Sequence, residues 1–270
     1  MTLKSAPIAL AFTLAALTLL SPALRAEGED ETAWNTVLKP KFFGDKPIEE
    51  DQTVTLTAPY RAEDPALVPL QITSQFPQTP EKYIKNITVV IDNNPVPFSA
   101  SFDFTPASGK ADIATRMRFN AYTHVRAIAE TNDGKLHMAK AFVKASGGCS
   151  APIGTDIEAA KARMGKMKFK LEGDKATLGQ ANPVQLLVSH PNITGMQMDQ
   201  ISRMVQPAHY VTEVKVSFDG KPVLAAKTDI AISADPNFRF YFVPDKAGEL
   251  KADIKDNLGN QYSASQAVSP

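Results

Sequence analysis

The sequence predicts an all-β protein of two β-sandwich domains joined by a Cys-bearing loop and a short helix. Three observations carry that prediction. The 270-residue chain has 20 Pro and 14 Gly, a composition suited to many turns and short strands. Alternating apolar segments recur in two copies, with Ile87, Val89 and Ile91 before Asp92-Asn93-Asn94, then Val214, Val216 and Phe218 before Asp219-Gly220. Period-2 alternation followed by a turn signal is the pattern of a half-buried strand entering a hairpin. The single Cys, Cys149, lies between the copies in a segment of Gly, Ser, Ala and Pro.

Taken in order, the chain opens with Lys4, an apolar stretch from Ala6 to Leu20, small residues around Ala23 and Ala26, and then the acidic Glu27-Gly28-Glu29-Asp30. These are the basic, apolar and cleavage regions of a secretory signal peptide, assigned to residues 1–26 with cleavage after Ala26, favoured over Ala23 by the acidic segment that follows it. Cleavage removes two of the 29 basic residues and none of the 29 acidic ones, leaving a net charge of −2. A nearly neutral exported protein gives no electrostatic case for binding nucleic acid or, once cleaved, a membrane.

Residues 27–145 form the first domain. Glu31 to Leu38 reads as a short helix, with Trp34, the only Trp, as a packing anchor. Strands are expected at Thr53–Leu56, Ile87–Ile91 and Val125–Ala129, the last entering the turn Asn132-Asp133-Gly134. Residues 146–165 are the arm and linker. Cys149 sits within Ser146-Gly147-Gly148-Cys149-Ser150-Ala151-Pro152, a composition expected to stay flexible and solvated. From the end of the preceding strand at Val143, an extended arm reaches roughly 20 Å. Residues 155–164 then read as a connecting helix with Thr155-Asp156 at its N-terminus and Gly165 at its end.

Residues 166–270 repeat the design. Lys168–Leu171 corresponds to Thr53–Leu56, and Leu250–Ile254 with Asp256-Asn257-Leu258-Gly259 corresponds to Val125–Ala129 and its turn. The offset between copies grows along the chain, which places about a dozen extra residues in the second copy around Asn192 to Val205.

A lone Cys in an oxidising compartment is buried, paired with another chain, or used. A hydrolytic Cys needs an imidazole to raise its thiolate fraction and fixed donors for an oxyanion. No His is near Cys149 in sequence, and a Gly-Gly arm is poor support for catalytic geometry. A mobile thiol suits a carried covalent group, so no catalytic residue and no resident cofactor are expected. An adduct on Cys149 takes that place, with Ser146, Gly147, Gly148 and Ser150 as the flexible arm. Met196, Met198 and Met204 between His190 and His209 offer soft ligands that suit Cu(I), but the same residues serve a packed loop or an adaptable surface, and no metal is assigned.

The first half, ending in Val143-Lys144-Ala145-Ser146-Gly147-Gly148-Cys149, resembles SoxY, the sulfur-carrier subunit of periplasmic thiosulfate oxidation. The second half resembles SoxZ through Ser189-His190-Pro191, Gly195, Pro207-Ala208-His209-Tyr210-Val211, Asp219-Gly220-Lys221-Pro222-Val223 and Asp256-Asn257-Leu258-Gly259. The arrangement is similar to fused SoxYZ-like proteins associated with quinoprotein dehydrogenases. The resemblance implies two immunoglobulin-like sandwiches, a periplasmic location and a sulfur intermediate on Cys149. It also implies partner redox enzymes, either c-type cytochromes or a quinoprotein dehydrogenase. His190, His209 and Tyr210 fall at SoxZ-matching positions and are candidates for shaping the Cys surroundings or the domain interface. In SoxY the Cys ends the chain; here it continues through Ser150-Ala151-Pro152, so the arm is tethered at both ends and has less reach. The other functional class is a non-catalytic accessory protein of a periplasmic dehydrogenase whose Cys is incidental.

Overall fold

The computed structural model describes residues 30–152, 157–173, 175–200 and 202–270. The signal-peptide region and the Thr155-Asp156 N-cap lie outside them.

The first half contributes β1 (Ile48–Glu49), β2 (Val54–Thr57), β3 (Val68–Ser74), β4 (Ile84–Ile91), β5 (Phe98–Phe104), β6 (Ile113–Met117), β7 (Thr123–Thr131) and β8 (Leu136–Val143). The second contributes β9 (Met167–Leu171), β10 (Asn182–Val188), β11 (Val211–Phe218), β12 (Lys221–Thr228), β13 (Asn237–Phe242), β14 (Gly248–Asp256) and β15 (Gln261–Val268). Every strand expected from alternation is present, and β2 to β8 correspond in order to β9 to β15.

The halves share more than a linker. One sheet runs β1-β8-β7-β4-β5-β12-β11-β14-β15 and the other β2-β3-β6-β13-β10-β9. In both, the two copies meet at equivalent strands paired antiparallel, β5 with β12 from Leu224↔Phe104 to Thr228↔Ala100, and β6 with β13 at Arg239↔Ala114. Pairing like with like relates the copies by a local two-fold axis, as at the interface of a symmetric dimer. It also removes four strand edges, those of β5, β12, β6 and β13, that would otherwise stand open. One buried cluster therefore spans both copies, and Phe102 meets Phe238 edge-on at 6.2 Å between ring centroids.

The N-terminal helix extends beyond the expected Leu38. A wide helical turn over Trp34–Leu38, in which the Lys39 N–H reaches the Trp34 carbonyl, leads directly into α1 (Lys39–Phe43). Pro40, which has no N–H to donate, sits in the first turn of α1, where one is not needed. Trp34 and Leu38 cover the outer face of the nine-stranded sheet with Val90, Ile128, Leu136 and Met138. That second layer explains the unbroken run Val89-Val90-Ile91: Val89 and Ile91 face the main core and Val90 faces the helix. The fully buried Arg126 guanidinium lies 4.4 Å from the Trp34 ring and binds Asp92 at 2.8 Å.

The connecting helix α2 (Ile157–Ala162) is shorter than expected at its described end. Gly165 has φ +79°, and a Cβ there would meet the Tyr262 ring at 2.0 Å, so only glycine allows the chain to turn into β9.

Candidate functional site

Beyond β8 the chain adds a short parallel pairing, with the Lys144 N–H donating to the Tyr60 carbonyl at 2.7 Å. It then turns inward. Gly147 donates to the Asn120 carbonyl at 3.0 Å, Gly148 to the Phe119 carbonyl at 2.8 Å, and Ser150 closes the turn onto the Gly147 carbonyl at 3.2 Å. Asn94, from the β4–β5 turn, fixes this receiving strand by donating to the Arg118 carbonyl and accepting from the Asn120 N–H.

The expectation of a solvated arm is corrected here. Ser146 and Ser150 are exposed, but Gly148 and Cys149 are buried, Cys149 completely. A Cβ on Gly148 would lie 2.0 Å from the Pro65 carbonyl oxygen. The second glycine is therefore required for close packing in this position, and not only for backbone freedom.

Three side chains hold the carbonyls of the turn. Arg118 Nη1 donates to Gly148 at 3.3 Å, Thr194 Oγ1 to Cys149 at 2.6 Å, and Gln197 Nε2 to Ala151 at 2.9 Å. Thr194 and Gln197 belong to the extra segment of the second copy. Arg118 also donates to the Asn192 carbonyl at 3.2 Å, so one guanidinium bridges the arm and that segment. Sequence reasoning missed Arg118, Asn94, Thr194 and Gln197. The surplus residues around 192–205 were the only signal pointing to two of them.

Burial pushes the Cys149 thiol up to about 11, with the Arg118 charge acting in the opposite direction. In the docked position the thiol is protonated at neutral pH and unreactive as a nucleophile.

His190, His209 and Tyr210 lie behind the covering segment. His190 Nδ1 accepts the Asn192 N–H at 3.1 Å, the Asn192 carbonyl meets Arg118, and Ile193 pairs with His209. The imidazoles thus connect to the arm through the backbone of 192–194. Their rings stand edge to face at 4.8 Å, and His209 Nε2 meets Asp256 at 2.8 Å. The Tyr210 N–H donates to Asn257 Oδ1 and the Tyr210 carbonyl accepts the Asn257 N–H, holding the turn that carries Asp256. Burial first, and then the charge of His209, lower the His190 pKa to about 4. Burial works against the Asp256 carboxylate, but hydrogen bonds from Asn260 and His209 hold its pKa below the usual range.

His190, His209 and Asp256 bring donor atoms within 4.8 Å of one another. Their hydrogen bonding disfavours a metal. Because Asn192 N–H donates to Nδ1, neutral His190 carries its proton on Nε2, the atom facing Asp256 at 3.8 Å. A ligating imidazole has the reverse arrangement, with the lone pair on the metal and the distal N–H donated outward. Met198 and Met204 stand exposed on a surface hairpin, while the two imidazoles that flank them in sequence face Asp256.

The family model of the sulfur oxidation protein SoxY matches residues 39–149, and that of the sulphur oxidation protein SoxZ matches residues 169–267. Cys149 is the last residue of the first match. Among solved structures, the sulfur carrier protein SoxY from Chlorobium limicola f thiosulfatophilum is 29% identical, covering 40% of this chain and 88% of its own, with a TM-score of 0.34. A superoxide reductase (neelaredoxin) from Ignicoccus hospitalis is 20% identical, covering 43% and 87%, with a TM-score of 0.29. The fibronectin(III)-like modules of Clostridium thermocellum CbhA are 12% identical, covering 79% and 93%, with a TM-score of 0.24. No curated protein matches the chain. With both matches in tandem on one polypeptide, the chain belongs to the SoxY and SoxZ families as a fusion of the two.

Proposed function

We propose that this protein is a non-enzymatic periplasmic carrier that bears a sulfur intermediate on Cys149 and presents it to partner redox enzymes. The family establishes a sulfur-oxidation carrier in general terms. The observation supporting Cys149 as the carrying residue is how its turn is held. Separate side chains grip the backbone carbonyls of Gly148, Cys149 and Ala151, and each such bond contributes only about 1 kcal/mol. A turn held this way can be released without unfolding the sandwich beneath it.

Attachment of thiosulfate balances as an oxidation. The thiol R–SH and S2O3(2−) give R–S–S–SO3(−), one proton and two electrons, and a sulfur–sulfur bond replaces the S–H bond. The electrons pass to a partner, a c-type cytochrome or a quinoprotein dehydrogenase. The docked turn would shield the adduct between encounters. Export rests on the N-terminal pattern of Lys4, the apolar stretch and Ala26. Among the described residues no helix is long and apolar enough to cross a membrane.

One observation favours a second reading, an accessory protein with an incidental Cys: the thiol is fully buried and its pKa is high. Intact mass spectrometry of protein taken from its native compartment, with and without reductant, separates the two. A reductant-labile adduct on Cys149, with loss of partner-dependent sulfur oxidation in Cys149→Ser, is the carrier result. A bare thiol, with full activity in Cys149→Ser, leaves the accessory reading.

A further inference from the structure

Beneath the arm lies a cavity of about 330 Å3 bordered by Ala151 and Pro152 of the arm, Arg116 and Arg118 of the first half, and Arg163 and Asp235 of the second. Its charges are unevenly matched. Arg163 is neutralised by Asp235 through two hydrogen bonds at 2.8 and 2.9 Å. Arg116 donates to the Asp235 backbone carbonyl at 3.1 Å. The Arg118 side chain is buried, bonds among the described residues only to the carbonyls of Gly148 and Asn192, and leaves its Nε–H without a partner. Among the described residues no carboxylate lies within ion-pair distance of it. Asp64, on the same lining, acts on Arg118 only from beyond that distance; a buried cation with no paired carboxylate is costly, and arginine's planar set of donors matches tetrahedral oxyanions.

We infer that this cavity binds a small sulfur oxyanion, a sulfate- or sulfonate-type group, with Arg118 as the cation that recognises it. The anion has two sources of the same chemistry, a free ion or the terminal sulfonate of a group attached at Cys149. The second rests on the carrier reading and the first does not. Arg118 already bridges the arm and the covering segment, so an anion here would tighten the docked turn and would favour docking of a loaded arm over a bare one.

The probe is inorganic sulfate, titrated calorimetrically into the full chain. Wild type and Cys149→Ser should both bind it saturably, and Arg118→Gln should weaken binding about tenfold or more. Because Arg118 is buried, a second variant guards against misfolding. Leu67 is 39% exposed on the cavity rim, so Leu67→Glu should abolish sulfate binding with an unchanged Tm, while Leu67→Gln should keep it. Equal sulfate affinity in wild type, Arg118→Gln and Leu67→Glu overturns the inference. A third arm identifies the source, using Cys149 capped by a methanethiosulfonate reagent that leaves a sulfonatoethyl disulfide. Loss of sulfate binding in that protein, but not in one capped with a methyl disulfide, assigns the site to the tethered anion. Retention in both assigns it to the free ion. Sulfate binding without any native Cys149 adduct removes the carrier reading and keeps the site, and an adduct without sulfate binding does the reverse.

Discussion

The Thr194 hydroxyl donates a 2.6 Å hydrogen bond to the Cys149 carbonyl, 45 positions earlier in the chain. The bond crosses from the SoxZ half to the SoxY half. It makes the second half the cover of the first half's thiol, in addition to its partner in two shared sheets.

That bond should be measurable as a rate. Thr194→Val keeps the shape and removes the donor, at a cost of about 1 kcal/mol, or roughly fivefold in the open population. Iodoacetamide should then modify Cys149 about five times faster than in wild type, while Thr194→Ser restores the slow rate. An unchanged rate in Thr194→Val would show that the hydroxyl does not hold the turn.

Gly148→Ala tests docking more severely, because its Cβ would sit 2.0 Å from the Pro65 carbonyl oxygen. The Phe119 carbonyl oxygen would lie 2.7 Å from that Cβ as well, so the turn should leave its seat while the sandwich stays folded. The expected result is a Cys149 that reacts at the rate of an exposed thiol, with only a small fall in Tm. Slow alkylation in this variant would place the barrier elsewhere.

The thiol also predicts an alkaline response. Its pKa is about 11 when docked, against about 8.5 for a solvated Cys. The released or unfolded state therefore loses its proton first as pH rises. Stability of the docked turn is intact below about pH 8.5 and falls as pH climbs towards 11. The alkylation rate of wild type should keep rising through pH 10, whereas Gly148→Ala should level off near pH 9. Superimposable profiles would contradict the docked thiol.

The strands and turns were legible because each is encoded locally. Ile87, Val89 and Ile91 alternate wherever they are placed, and Asp92-Asn93-Asn94 turns on its own chemistry. The docked arm was not legible, because the composition of Ser146 to Ser150 reports intrinsic freedom alone. What removes that freedom comes from Pro65, Phe119, Thr194 and Gln197, none adjacent in sequence. The shared sheets were hidden for a similar reason. Phe98–Phe104 reads as a strand whether its edge is open or paired, and only the β12 register shows that it is internal. Asp256 read as a turn residue, which it is, and its second role towards His209 had no local mark.

Because the main core crosses between the halves, unfolding should be a single event. Calorimetry is expected to show one transition with equal calorimetric and van't Hoff enthalpies. Phe238→Ala removes a fully buried ring that faces Phe102 of the other half, which should cost about 3–5 kcal/mol. That loss should lower the single transition rather than split it. Two resolved peaks would mean that the halves fold independently despite their shared sheets.

The acid side is governed by His190, completely buried, with Asp256 and His209 facing its Nε2 and the Asn192 N–H bound to its Nδ1. Its pKa falls to about 4 in the fold, against about 6.5 in an unfolded chain. The unfolded state therefore takes up the proton first as pH drops. The contribution of neutral His190 to stability is complete above about pH 6.5 and is lost as pH falls towards 4. His190→Asn keeps an acceptor for the Asn192 N–H, in an Asx-type turn, and removes the titration. Its Tm should be lower than that of wild type at pH 7 but should fall less steeply between pH 6.5 and 4. Equal slopes in the two proteins would assign the acid response to the His209–Asp256 pair, whose carboxylate must be ionised to accept from Asn260 and His209 together.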